Sequence, residues 1–325
     1  MNYGDCIGCG LCVLGCPASE ETGMEALSAK GRNFSLQAGL NAGEMTEQIW
    51  ACTMCGYCDG VCPKGVRNVE LVLALRRELN HRGSERKEKN HGGAEGKETN
   101  HRGAEGKKTD HGGSERKEKD HGGAEGGEKK EETRKELVLG CTIRERAAHL
   151  IPSIQSFLKK IGLPAEIAEE GCCGSLDVEA GRAMPSKSKA GVVCDPVCME
   201  QYDGEFLGEL AMRRLEQFDF GRSVYYFVPH RLVNRQHGRF YPPYHAMRQK
   251  LRCETNLDLN RLARSTTMGS LQGLTGQDTR DVKLLVGRLL EQVKAERIVT
   301  CSPADYLAFR QFSNRDVKFV TECLK

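Results

Sequence analysis

One cysteine spacing, written twice, constrains this chain more than any other feature. Cys6, Cys9, Cys12 and Cys16 precede Pro17, and Cys52, Cys55, Cys58 and Cys62 precede Pro63, so C-x2-C-x2-C-x3-C-P occurs twice before residue 64. Three thiolates at i, i+3 and i+6 of a tightly coiled loop converge on three corners of a cubane, whereas a helical turn carries the fourth past it. Zinc also takes paired cysteines, but usually as two C-x-x-C pairs per ion, which an x2-x2-x3 quartet ending in Pro matches poorly. The doubled quartet therefore points to two [4Fe-4S] clusters and to electron transfer.

Where two cubanes are held by this spacing, the fourth cysteine of one quartet ligates the other cluster. The expectation is crosswise: cluster one on Cys6, Cys9, Cys12 and Cys62, cluster two on Cys52, Cys55, Cys58 and Cys16. Gly8, Gly10 and Gly56 suit loops whose amides approach inorganic sulfide. Pro17 and Pro63 suit the first turn of a helix, where a missing N–H costs nothing. Met24–Trp50 holds no good strand and Asn68–Leu79 is a helical run, so residues 1–79 read as a small all-α domain.

From Asn80 a ten-residue unit repeats five times (NHRGSERKEK, NHGGAEGKET and so on) without one large apolar side chain. Such a segment cannot bury enough surface to offset the entropy of ordering it, so residues 80–135 read as a disordered low-complexity linker on which two modules move. Its histidines, His81, His91, His101, His111 and His121, are the fixed letter of an expanded repeat rather than a preformed metal site. Residues 1–79 carry 6 basic and 9 acidic side chains and 136–325 carry 27 and 23, a balance that does not suggest nucleic acid. Sixteen cysteines in a chain that opens MNYGDCIGCG, with no basic and apolar leader pattern, indicate metal ligands in a reducing compartment rather than a disulfide framework. The expected location is cytoplasmic, and with no apolar run long enough to span a bilayer, any membrane association comes through a partner.

Beyond residue 135 short apolar runs alternate with helical stretches. Glu136–Cys141, Ala165–Ala168, Gly191–Cys194, Val224–Val228, Ile298–Cys301 and Val317–Val320 read as strands, with Glu145–Ile161 and Val282–Ala295 as helices. The fold class is therefore multidomain: a small all-α dicluster domain, the linker, then at 136–325 an α/β domain with a mainly parallel sheet. Cys141, the pair Cys172 and Cys173, and Cys194 with Cys198 each follow a strand, so they gather at one rim of that sheet, where α/β folds place their sites. Cys253, Cys301 and Cys323 stand singly and read as core packing, His245 as a surface or vestigial site residue. Gly-rich phosphate loops are absent, so no nucleotide or flavin site is supported.

Ile49–Pro63 (IWACTMCGYCDGVCP), with its partner quartet 36 residues earlier, resembles the α-helical ferredoxin domain of the C subunit of heterodisulfide reductase, over about residues 2–78. It also looks like the iron-sulfur subunits of anaerobic glycerol-3-phosphate dehydrogenase and glycolate oxidase. Cys141, Cys172-Cys173-Gly174, Cys194 and Cys198 resemble the CCG domain of the B subunit of heterodisulfide reductase and its relatives, which implies a third four-iron cluster on these five cysteines, in some members a non-cubane one. The other readings of these five are zinc or a vestigial site without metal. This sequence departs from that family in its C-x3-C pair, in a short gap from Cys173 to Cys194, and in lacking a second CCG, with Ala304 where a cysteine is expected. The resemblance implies an electron-transfer subunit of a multi-subunit oxidoreductase, with a flavoprotein, hydrogenase or membrane quinone/cytochrome subunit as partner. The alternatives are a self-contained disulfide or heterodisulfide reductase acting at the CCG cluster, and a scaffold with a vestigial C-terminal site.

Overall fold

The computed structural model describes residues 2–91, 135–169, 173–183, 188–229, 250–251, 253–256 and 279–325. Cys172, His245 and most of the ten-residue repeats lie outside them.

The N-terminal part is helical, as its sequence implies: α1 Pro17–Thr22, α2 Ala29–Gln37, α3 Thr46–Trp50, α4 Tyr57–Val61 and α5 Asn68–His91. Pro17 opens α1, where its fixed φ and missing donor are harmless. Pro63 does not open a helix. It sits in a turn closed by Gly65 N donating to Cys62 O at 3.1 Å, and α5 begins five residues later. There Asp59 supplies the cap, its Oδ1 accepting from the amides of Asn68 at 2.7 Å and Val69 at 3.3 Å. Helix α5 then continues past Leu79 into the first repeat unit, which was expected to be linker. That unit lacks apolar residues but is rich in Glu, Arg and Lys, all good helix formers, and a helix already nucleated propagates through them.

The C-terminal part is α/β, with two four-stranded parallel sheets instead of one. The first takes the order β2-β1-β3-β4, from β1 Lys135–Val138, β2 Ala165–Ile167, β3 Ser188–Val193 and β4 Tyr202–Phe206. The second repeats it as β6-β5-β7-β8, from β5 Val224–Phe227, β6 Glu254–Thr255, β7 Arg297–Thr300 and β8 Asp316–Phe319. Its central strand β5, Val-Tyr-Tyr-Phe, is buried throughout, as a strand covered on both faces must be. The described helices here are α6 Cys141–Arg146, α7 Ile151–Lys160, α8 Ser175–Glu179, α9 Leu207–Arg213, α10 Thr279–Leu290 and α11 Pro303–Phe312. One apolar core runs through both sheets, from Leu137 and Val192 to Tyr225, Ile298 and Phe319.

The second half thus keeps the whole strand order of the first while keeping only one of its cysteines in a matching place. Cys194 follows β3 and Cys301 follows β7, at matching ends of matching strands. By the C-x3-C spacing of the first half, the residue matching Cys198 is Asp305, one beyond Ala304.

The N- and C-terminal parts belong to one compact unit, residues 1–83 with 134–325. Arg76 Nη1 donates to Glu179 O at 2.7 Å and Asn80 Nδ2 to Ala180 O at 2.8 Å, so α5 is bonded to the end of α8. Gly181, at φ +74°, lies so close to α5 that a Cβ there would meet the backbone of Arg76 and Arg77 at 2.7 Å. The two modules, expected to move on a tether, are in direct contact.

Candidate metal centres

The two quartet loops are local copies of one another. Gly8 and Met54, each two residues after the first cysteine of its quartet, take left-handed φ values of 71° and 57°. Gly10 and Gly56, each just after the second cysteine, take 81° and 80°. Left-handed backbone lets each loop coil tightly enough to turn successive thiols inward, and it costs a non-glycine residue about 1–2 kcal/mol. Met54 bears that cost while its side chain is wholly buried in the small core formed with Ile49, Val69 and Val72. Gly8 has a second constraint, since a Cβ would meet the Phe34 ring at 2.5 Å.

Each loop borders a cavity. The walls of the first include Cys6, Cys9, Cys12, Lys30, Lys64 and, from the other quartet, Cys62. Those of the second include Cys52, Cys55, Cys58, Arg32 and, from the other quartet, Cys12 and Cys16. The fourth cysteine of each motif therefore stands with the other motif's first three. Thiols at this spacing serve polynuclear clusters, whereas a zinc ion usually takes two C-x-x-C pairs.

At the second cavity burial acts on several thiols. Burial pushes the Cys55 thiol up to about 12 although the Tyr57 amide bonds it, and burial raises Cys58 and Cys16 as well. Arg32, only 2% exposed, reaches the same cavity, and its Nη1 donates to Leu27 O at 2.7 Å and Gln48 O at 3.3 Å. Burial lowers its pKa, but the charges of Cys52, Cys58, Cys16 and Cys55 outweigh that and raise it. Among the described residues no carboxylate pairs with it. A desolvated cation is tolerable only beside a counter-charge, and a cluster held by four thiolates is an anion. This donor set fits an iron-sulfur cluster. Arg76, wholly buried, donates from Nη2 to Cys52 O at 2.6 Å and Ile49 O at 3.2 Å while its other arm holds Glu179. Its guanidinium also lies 4.9 Å from the Trp50 ring.

In the C-terminal part the described cysteines of the CCG-like set stand at strand ends: Cys141 opens α6 after β1, Cys173 precedes α8, and Cys194 and Cys198 follow β3. Three of them meet. A hydrogen bond with Cys173, then burial, then the charges of Asp195, Cys173 and Cys141 raise the Cys198 thiol. Gly140, at φ +81°, makes room, because a Cβ there would lie 3.1 Å from Cys198 Sγ. Cys194 stands apart in the core, where burial and then Asp195 raise it. Asp195 itself is pushed up to about 6 by burial, against a 2.9 Å bond from Val197 N.

Sequence reasoning did not anticipate Arg32, Arg76, Asp59 or the gap at Gly140. For Arg76 a signal existed: Val69, Val72, Leu73 and Arg76 share the apolar stripe of α5, so a charge falls on a core-facing position.

Residues 3–66 match the 4Fe-4S dicluster domain family, and with the doubled thiol cavities they define an iron-sulfur domain of the electron-transfer kind. The chain is 31% identical over 74 residues to the C subunit of the ferredoxin/F(420)H(2)-dependent CoB-CoM heterodisulfide reductase of Methanosarcina acetivorans, covering 22% of this chain and 43% of that one. It is 33% identical over 66 residues to the glycolate oxidase iron-sulfur subunit of Escherichia coli (19% and 16% covered). To the fumarate reductase iron-sulfur subunit of Haemophilus influenzae it is 35% identical over 81 residues (20% and 29%). The chain spans less than half the length of each of these relatives. No helix among the described residues is long and apolar enough to cross a membrane.

Proposed function

We propose that this chain is an electron-transfer subunit of a multi-subunit oxidoreductase of the heterodisulfide reductase kind. The observation that carries the reading is the crossed pair of thiol cavities, Cys6, Cys9, Cys12 and Cys62 around one and Cys52, Cys55, Cys58 and Cys16 around the other. These eight are the proposed ligands of two [4Fe-4S] clusters, each of which, when bound, accepts and returns one electron. The chain's own residues do the rest. The left-handed positions at Gly8, Gly10, Met54 and Gly56 aim the thiols, the buried side chains of Ile49 and Met54 anchor the second loop in its core, and Arg32 balances the second site's charge.

The proposed domains are 1–79, with the two clusters, 80–135 as connecting segment, and 136–325 as the CCG-like domain. A third four-iron site on Cys141, Cys172, Cys173, Cys194 and Cys198 is supported by the Cys173–Cys198 hydrogen bond and by Cys141 standing near enough to act on the same thiol. The relatives are named as subunits, which favours a flavoprotein, hydrogenase or membrane quinone/cytochrome subunit as partner.

Replacing Cys16 by Ser tests the crossing. With iron loaded anaerobically, paramagnetic resonance should show the signal assigned to Cys52, Cys55 and Cys58 altered and the other intact. An altered signal only at Cys6, Cys9 and Cys12 would overturn the ligand assignment. Purifying the native complex without oxygen tests the subunit reading, which fails if the chain is recovered alone and oxidises or reduces a disulfide unaided.

A further inference from the structure

The two cavities share a cysteine pattern but not an electrostatic one. Beside the first stand Lys30, whose charge is largely cancelled by its ion pair with Glu25 at 2.6 Å, and Lys64, which is exposed and screened by water. Around it the surface opens: Cys9 is exposed, and Ile7, Leu11 and Leu14 of the same loop are exposed as well. Beside the second stands Arg32, buried, bonded only to carbonyls and with no acidic partner among the described residues. A second buried guanidinium, that of Arg76, bonds the carbonyl of its ligand residue Cys52.

The potential of an iron-sulfur cluster follows net charge, hydrogen bonding and solvent exposure. A cluster gains one negative charge on reduction, so a desolvated cation nearby favours the reduced state, and more so where water is excluded. Resting on the dicluster reading above, we propose that Arg32 ranks the two centres, giving the second quartet's cluster the higher reduction potential. An electron delivered by an external reductant at the exposed first quartet then passes inward to the second. The first centre is oxidised by one electron, the second reduced by one, and no proton is needed. The electron comes to rest beside Cys52, whose carbonyl shares Arg76 with Glu179 at the end of α8, the helix that follows the CCG. Arg32 is thus a positioning charge that sets direction.

The test is an anaerobic redox titration of the full, iron-loaded chain followed by paramagnetic resonance, with Cys9→Ser and Cys55→Ser identifying the two signals. The centre of the second quartet should reduce first. Arg32→Gln should lower its potential and leave the other in place, Arg32→Lys should retain most of the wild-type value, and Lys30→Gln should move the first centre less than Arg32→Gln moves the second. An unmoved second potential in Arg32→Gln, or prior reduction of the first quartet's centre in the wild type, overturns the proposal. If Arg32→Gln fails to load iron, the wild-type order alone decides. A wild-type chain with fewer than two clusters by iron content overturns the dicluster reading itself, a failure separable from a reversed order.

Discussion

Replacing Arg76 by Met should destabilise the contact between the cysteine-rich N-terminal part and the sheets. The wild-type guanidinium is wholly buried and serves three carbonyls, Cys52 at 2.6 Å, Glu179 at 2.7 Å and Ile49 at 3.2 Å. Met fills similar volume, so the loss is polar rather than a cavity. The two short bonds matter most, and a buried carbonyl that loses its partner costs about 1–3 kcal/mol, which sets the loss at about 2–6 kcal/mol. Recovered hydration of the guanidinium in the wild-type unfolded state keeps the figure toward the lower end. Lys should rescue little, because one compact ammonium cannot bridge acceptors on two separate segments as the guanidinium fork does. Anaerobic urea denaturation followed by circular dichroism measures the loss, and scanning calorimetry should show a wild-type transition separating into two. A loss below about 0.5 kcal/mol would refute the claim that this side chain joins the modules.

Gly181→Ala should weaken the same junction from the other side, since its Cβ would press on the backbone of Arg76 and Arg77 at 2.7 Å and its φ is +74°; calorimetry should show a lowered transition by about 2–4 kcal/mol of stability. Gly8→Ala should lower iron content at the first quartet while sparing the second, because the clash is with Phe34 and the φ is +71°; equal loss at both, read by metal analysis with paramagnetic resonance, would count against the local reading. The Cys323 thiol is pushed from 9.0 up to about 12, chiefly by burial. The folded chain therefore holds a proton that the unfolded chain sheds, so stability falls as pH rises above about 9. Urea midpoints across that range should fall less steeply in Cys323→Ala than in the wild type.

The cysteine quartets were legible because metal ligation imposes fixed spacing on a short loop, and the central strands because burial on both faces writes a continuous apolar run. Strand β4, Tyr-Asp-Gly-Glu-Phe, was not, since an edge strand tolerates the polar residues that make it read as a loop. Strand β6 is two residues long, too short to leave a pattern. The division of these strands into two sheets was not legible, because the repeat survives in strand order while only Cys301 keeps a matching place among its cysteines. Arg32 left no trace, because nothing local distinguishes a buried arginine in AKGRNFSLQ from a solvated one; its role follows from Cys16 and Cys52 approaching it from distant segments.

Anaerobic metal and acid-labile sulfide analysis of the full chain tests the central claim most directly. Two cubanes require about eight iron and eight sulfide per chain, rising to about twelve iron if the site of Cys141, Cys173 and Cys198 is filled. About four iron, or zinc in place of iron, would contradict it.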